Sequence, residues 1–199
     1  MTMPFDTWIA LFVFALVTSA TPGPNTLMLL ASGVNFGFQR TAPHMFGVVT
    51  GFVLLLLCVG FGLGVVLTAY PPLHLALKII GGGYLLYLAW RVAMASAPKG
   101  PDVKSSPMSL FAAMLFQWVN PKAWMMAITA MAIYTQADYP YVSVVAIAGV
   151  YGVVGIPTVM FWAGFGSMLR EWLDHPQRLK WFNRTMGLLL ALTVVPLVQ

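Results

Sequence analysis

The sequence predicts an all-α integral membrane protein whose six transmembrane helices form two inverted three-helix repeats, with helices 1 and 4 broken. Three observations predict it. Of 199 residues, 60% are hydrophobic and 8% charged, with a mean hydropathy of +0.85, whereas soluble domains carry about 25% charged residues. The apolar residues run in long blocks without period-2 alternation, so helices rather than barrel strands are expected. Each span needs roughly 20 residues and a connector, so six spans use the whole chain, which excludes an extramembrane enzyme.

The six stretches cover residues 7–30, 46–69, 73–95, 109–134, 141–168 and 182–198. The first lacks a basic leader and runs into a Pro-Gly-Pro break, so it reads as a retained helix and not a signal peptide. The second holds Cys58, the single cysteine, which is expected to pack rather than pair. It also carries the small-residue spacings Gly47 with Gly51 and Gly60 with Gly64, matched in the fifth by Gly149, Gly152 and Gly155; close helix packing is the expected role. In the third, Gly81-Gly82-Gly83 follows no strand, so packing is expected there too. Five spans with a re-entrant segment are the alternative architecture.

The whole chain, 1–199, reads as one transporter domain whose halves, 1–96 and 108–199, are joined by a polar linker at 97–107 (APKGPDVKSSP). The connectors after spans 1, 3 and 5, with their flanks, carry Arg40, Arg91, Lys99, Lys104, Arg170, Arg178, Lys180 and Arg184, against Lys78 on the other side. By the positive-inside rule those connectors are cytoplasmic and both termini periplasmic. Trp8, Tyr70, Tyr139 and Tyr141 then anchor the outer interface, and Trp90, Trp172 and Trp181 the inner one. A net charge of +5 is explained by this topology, because the basic residues are scattered singly and form no nucleic-acid-binding face. Three spans per half make the second half enter from the opposite side, which is the geometry of an inverted repeat.

Helix 1 is interrupted at Thr21-Pro22-Gly23-Pro24-Asn25 and helix 4 at Asn120-Pro121-Lys122. Proline removes a backbone donor and clashes with the preceding turn, so both helices should open. Freed backbone groups in hydrocarbon must meet protein or water, and paired breaks point to a transporter's central site. Thr21-Pro22, Gly23-Pro24 and Asn120-Pro121 each read as an N-cap followed by proline at the first helical position. A restarting half-helix would aim free N–H groups at a carboxylate. Lys122 is the one charge near mid-span, costing about 2.5–3.5 kcal/mol, while the acidic residues Asp6, Asp102, Asp138, Glu171 and Asp174 all fall at ends or in loops. An anionic ligand group would balance it, with Gln117 and Asn120 bonding the rest of the ligand. Alternatively Lys122 bonds carbonyls freed by the TPGPN break and ties helix 4 to helix 1; the two roles can coexist. The candidate substrate-binding set is therefore Pro22, Gly23, Pro24, Asn25, Gln117, Asn120, Pro121 and Lys122.

His44 and His74 stand at the starts of spans 2 and 3 and are expected at the interface. No cluster of ligating residues suggests a metal, and no catalytic or phosphate-binding motif suggests chemistry or a cofactor.

TPGPN at 21–25, then Gly37-Phe38-Gln39-Arg40, Lys78 with Gly82, YLLYLAWR at 84–91 and FQWVNPK at 116–122 together resemble the LysE/RhtB family of bacterial amino-acid exporters over nearly the whole chain. ASGVNFGFQR and SLFAAMLFQWVNPKAW are most similar to its cysteine and O-acetylserine exporters. The resemblance implies an inner-membrane carrier that expels a small zwitterionic amino acid or derivative, homoserine-like compounds included, by alternating access coupled to protons. A homodimer is left open. Several members carry an acid in helix 2 where this chain reads Phe52-Val53-Leu54-Leu55-Leu56, which disfavours a cationic substrate beside Lys122. A multidrug pump or a passive small-molecule pore is the alternative, the first disfavoured by the lack of an embedded acid.

Overall fold

The computed structural model describes residues 3–95 and 106–195. Its elements, in order, are α1 (Phe5–Ala20), α2 (Pro24–Phe36), α3 (Phe38–Cys58), a π-helical turn (Val59–Leu63), α4 (Gly64–Ala69), α5 (Pro71–Ala93), α6 (Leu110–Val119), α7 (Pro121–Tyr134), α8 (Pro140–Trp172) and α9 (Pro176–Leu192). Among the described residues there is no strand. Most of the expected linker at 97–107 lies outside the described residues.

Three helical stretches are long and apolar enough to cross a membrane: Phe38–Leu63, Leu75–Ala93 and Pro140–Trp172. The pair α1 and α2, bent by 57° at the break, makes a fourth if it is one span. At 1.5 Å per residue, α8 is about 50 Å long and overshoots a 30 Å hydrocarbon layer. Proline and its neighbours set most helix starts. Ser109 caps α6 by accepting from the Ala112 amide at 3.2 Å, and Pro24, Pro71, Pro121, Pro140 and Pro176 stand in the first turns of their helices.

Several edges differ from expectation. Span 2 begins at Phe38, not near 46, because Gly37 turns the chain in a single residue with φ +83°, a left-handed conformation open to glycine. Pro43 is then accommodated inside the helix, and His44, expected at the interface, becomes a buried helix residue with 1% exposure. Thr21-Pro22 does not start a helix: Thr21 caps the C-terminus of α1, its amide bonded to the Val17 carbonyl at 3.0 Å. α9 begins at Pro176 rather than near 182 and runs to Leu192; the expected end at 198 lies outside the described residues.

The helices pair in a regular way. α2 and α1 pack on α8, α6 packs on α3, α3 packs on α8, and α5 packs on α9. Glycines permit the tightest of these approaches. A Cβ on Gly33 would collide with the Ala163 carbonyl and one on Gly166 with the Leu30 carbonyl, so α2 and α8 touch backbone to backbone. Gly47 and Gly51 do the same for α3 against Leu110 and Met114 of α6, and Gly81 for α5 against Val119, as expected of packing residues. Gly149, Gly152 and Gly155 do not: Gly149 faces open space, and the other two meet only valine side chains at 3.5 Å.

At one end of the bundle, Asn183 is completely buried. Its amide exchanges hydrogen bonds with Asn35 (2.8 and 3.1 Å) and donates to the Ala95 carbonyl at 2.8 Å. This ties the C-terminal ends of α2 and α5 to α9, and Arg170 lies beside Gly37 at the same end. The described ends of these connectors thus share one side of the molecule.

Gly33→Leu should separate α2 from α8 at a cost of about 1–3 kcal/mol or more, whereas Gly83→Leu, where a Cβ meets nothing within 4 Å, should be tolerated. Thermal challenge of the detergent-solubilised variants, followed by size-exclusion chromatography, should show an earlier loss of monodisperse protein for the first only.

Candidate functional site: a cavity at the two helix breaks

Both breaks open onto one cavity of ≈ 70 Å³, room for about two waters at ~30 Å³ each. Its wall is contributed by α1 (Thr18, Ser19), the break and start of α2 (Gly23, Asn25, Thr26, Leu29), α3 (Val48, Val49, Phe52), the second break and α7 (Asn120, Lys122, Ala123, Met126) and α8 (Tyr151, Gly155, Thr158, Val159, Trp162).

Local chemistry builds the first break. α1 ends at Thr21, and Gly23, in extended conformation, starts α2. The Thr26 hydroxyl accepts from the Gly23 amide at 2.8 Å and donates to the Gly23 carbonyl at 2.9 Å. Pro24 has no amide hydrogen, and the Leu27 amide already reaches the Gly23 carbonyl at 3.0 Å. That leaves the amides of Asn25 and Thr26 as first-turn donors without a helical acceptor, and both residues border the cavity. The second break is closed differently. Asn120 accepts from the Lys122 amide with its side chain at 3.2 Å and from the Ala123 and Trp124 amides with its carbonyl at 3.0 and 3.3 Å. The start of α7 therefore spends its donors on its own cap, and α2 alone presents free amides.

Lys122 joins the two breaks. Its ammonium donates to the Thr21 carbonyl at 2.5 Å, one of the acceptors that the end of α1 leaves without a helical donor. Glycine at position 23 gives the side chain room, since a Cβ there would lie 2.8 Å from Lys122 Cδ and would make the lysine chain shift. The strut role anticipated for Lys122 is the one this geometry contains, and the same side chain lines the cavity.

The expected residues thus divide into two groups. Gly23, Asn25, Asn120 and Lys122 border the cavity. Gln117 does not; it is fully buried and exchanges hydrogen bonds with Asn25 (2.7 and 3.2 Å) while also donating to the Ala113 carbonyl at 2.9 Å, fixing Asn25 from behind. Pro22, Pro24 and Pro121 shape the backbone and are not in the wall.

Sequence reasoning missed the contribution of α8. Tyr151, Gly155, Thr158 and Trp162 follow each other at spacings of four, three and four, one stripe of the helix. That stripe was the available signal. Tyr151 is 1% exposed, its hydroxyl 3.2 Å from the Thr18 hydroxyl and its ring edge-on to Phe52 with centroids 5.3 Å apart. Trp162 Nε1 is buried with no hydrogen-bond partner, a spare donor at the cavity wall. Among the cavity-lining residues Lys122 is the one cation, and no carboxylate accompanies it. Among the described residues no cluster of three or more His, Cys, Asp or Glu could hold a metal ion.

Such a site can hold a small solute by its anionic end, between an ammonium, two free amides and an indole N–H, against an aromatic wall. The comparisons with known proteins agree with a carrier. Proteins named cysteine/O-acetylserine efflux protein from Escherichia coli K12 and from Shigella flexneri are each 29% identical to this chain over 188 residues, covering 94% of it and 92% of the relative. No solved structure gives a significant match. The family model for the LysE type translocator matches residues 16–198, from the end of α1 through both breaks and all of α9, and the chain accordingly belongs to the LysE type translocator family: it is a membrane transporter and not an enzyme.

Proposed function

We propose that the protein exports a small zwitterionic amino acid of the cysteine or O-acetylserine type across the bacterial inner membrane. The carrying observation is the cavity at the two breaks, where Lys122 and the free amides of Asn25 and Thr26 converge with no acid to oppose them. A carboxylate fits that field, and Trp162 Nε1 offers a further donor. The amino acid's side chain then lies toward Phe52 and Met126. A cationic side chain would bring a second positive charge beside Lys122 in a medium of low dielectric, which favours neutral amino acids over lysine or arginine. The same argument disfavours a cationic-drug pump. The relatives' names supply the substrate class.

Alternating access between two repeats is the proposed mechanism. In the proposed six-span arrangement, α1 with α2 corresponds to α6 with α7, α3 with its π turn and α4 to α8, and α5 to α9. A two-fold axis then exchanges the α1–α8 packing with the α6–α3 packing and maps the α3–α8 and α5–α9 pairs onto themselves, which supports the reading, while the close α2–α8 approach has only a looser counterpart in α7 and α3. Rocking of one half against the other moves Lys122 relative to Thr21, so the strut contact is made and broken as the cavity changes sides. Coupling to protons and surroundings of membrane lipid belong to the same proposal.

For Lys122→Gln, loss of a charge-assisted bond predicts roughly 10-fold or greater weakening for O-acetylserine, from about 1.5–3 kcal/mol, and little change for its methyl ester. Isothermal titration on the reconstituted protein measures both. Equal weakening of acid and ester would reduce Lys122 to a strut. Orientation is checked by Val103→Cys in a Cys58→Ala background: with 97–107 cytoplasmic and both termini periplasmic, an impermeant maleimide should label it in inverted vesicles and leave intact cells unlabelled. Flux separates carrier from pore, because an alternating-access carrier shows counterflow and a pore does not.

A further inference from the structure

A second cavity, of ≈ 200 Å³, lies on the basic-connector side of the first. It is bordered by Ser32 and Asn35 of α2, His44 of α3, Arg91 of α5, and Ser106 and Met108 ahead of α6. Two of its polar side chains are engaged, Ser32 with Thr41 at 3.0 Å and Asn35 with Asn183. His44 is buried and unpaired. Its ring is 99% enclosed, and neither Nδ1 nor Nε2 has a partner. A neutral imidazole carries one donor and one acceptor, and leaving either unmet in a dry interior is costly, so native structures rarely do it. His44 belongs to the wall of this cavity, the adjoining space from which a partner could reach it.

The two cavities follow one another along the same helices. On α2, Thr26 and Leu29 face the first, while Met28 and Ser32 face the second. On α3, His44 is one turn before Val48, which lines the first. Leu29 and Val48, which line the first cavity, pack together with Met45, apolar side chains that can be displaced without breaking a hydrogen bond. Arg91, exposed at the mouth with its guanidinium 6.0 Å from the Tyr87 ring centre, is the one charged residue in this wall.

We propose that this second cavity is a loading site for the exported amino acid, which it holds before the Leu29–Met45–Val48 layer opens toward Lys122. The carboxylate pairs with the Arg91 guanidinium, and His44 hydrogen-bonds the polar remainder of the solute, donating to a carbonyl or accepting from the ammonium. His44 is a binding residue here and takes no part in chemistry. The proposal rests on the export reading above.

Diethyl pyrocarbonate acylation of the purified full-length protein tests it, with the exposed His175 as an internal reference for reagent consumption. O-acetylserine should lower the His44 to His175 modification ratio several-fold, both in the wild type and in Lys122→Gln, whose central site is weakened. A ratio unmoved by O-acetylserine while Lys122-dependent binding persists would overturn the loading site and leave the export reading standing. A His44 that stays unmodified without solute would overturn it too, since the cavity would then be closed to water. If O-acetylserine binds nowhere, the export reading's substrate class fails and the loading site fails with it. In transport, His44→Leu should raise the half-saturating internal concentration about tenfold at unchanged maximal rate, and His44→Gln should recover most of the loss. An unchanged half-saturation in His44→Leu would count against the proposal.

Discussion

The bond from the Lys122 ammonium to the Thr21 carbonyl organises the centre of this protein. Breaking a helix inside hydrocarbon frees carbonyls at one end and amides at the other, and no water is at hand to satisfy them. Here the carbonyl side of the first break is met by a cation from the second break, and the amide side is left facing a cavity. Lys122 alone would be an expensive charge in a span. Thr21 alone would be an orphan acceptor. Each resolves the other's deficit, and in doing so they hold the two halves of the molecule together at one point.

That arrangement separates support from recognition. Gln117 is wholly occupied with Asn25 and the Ala113 carbonyl, and Asn120 is occupied with capping α7. Both residues looked like ligand contacts when judged by polarity and proximity to the break. Gln117 spends its hydrogen bonds within the protein and Asn120 spends both its oxygens on the α7 cap, which stiffens the frame around the free amides of α2. The polar capacity left over at the cavity includes Lys122, the Asn25 and Thr26 amides, the side-chain N–H groups of Asn120 and the Ser19 hydroxyl, with Phe52 and Tyr151 forming an aromatic wall. Binding sites of carriers work in this way, with few unspent polar groups set on a scaffold whose own polar groups are satisfied.

His44 shows how one misplaced boundary changes a residue's meaning. The second apolar stretch was read to begin near 46, so His44, just before it, was expected at the interface. Gly37 instead completes the turn in one residue with positive φ, α3 starts at once, and His44 moves a turn and more into the bundle. Pro43 is tolerated because it falls near the start of a long helix. Ring nitrogens that water would have satisfied at an interface are left without partners.

By itself the sequence determined the all-helical membrane class, the two breaks and the basic side of the molecule. These follow from local properties: blockwise hydrophobicity, proline after a capping residue, and the count of Lys and Arg by connector, each readable within a few residues. Tertiary structure decided which polar groups remain free. α8 is apolar nearly all round, so the spacing of Tyr151, Gly155, Thr158 and Trp162 marks one stripe without saying which neighbour it faces. It faces the cavity because Gly33 and Gly166 let α2 close directly onto α8. The same packing placed Gln117 behind Asn25 and Lys122 on Thr21, contacts across 92 and 101 residues of chain. A hydrogen bond between distant segments depends on which helix faces approach, and that depends on the packing of every helix at once.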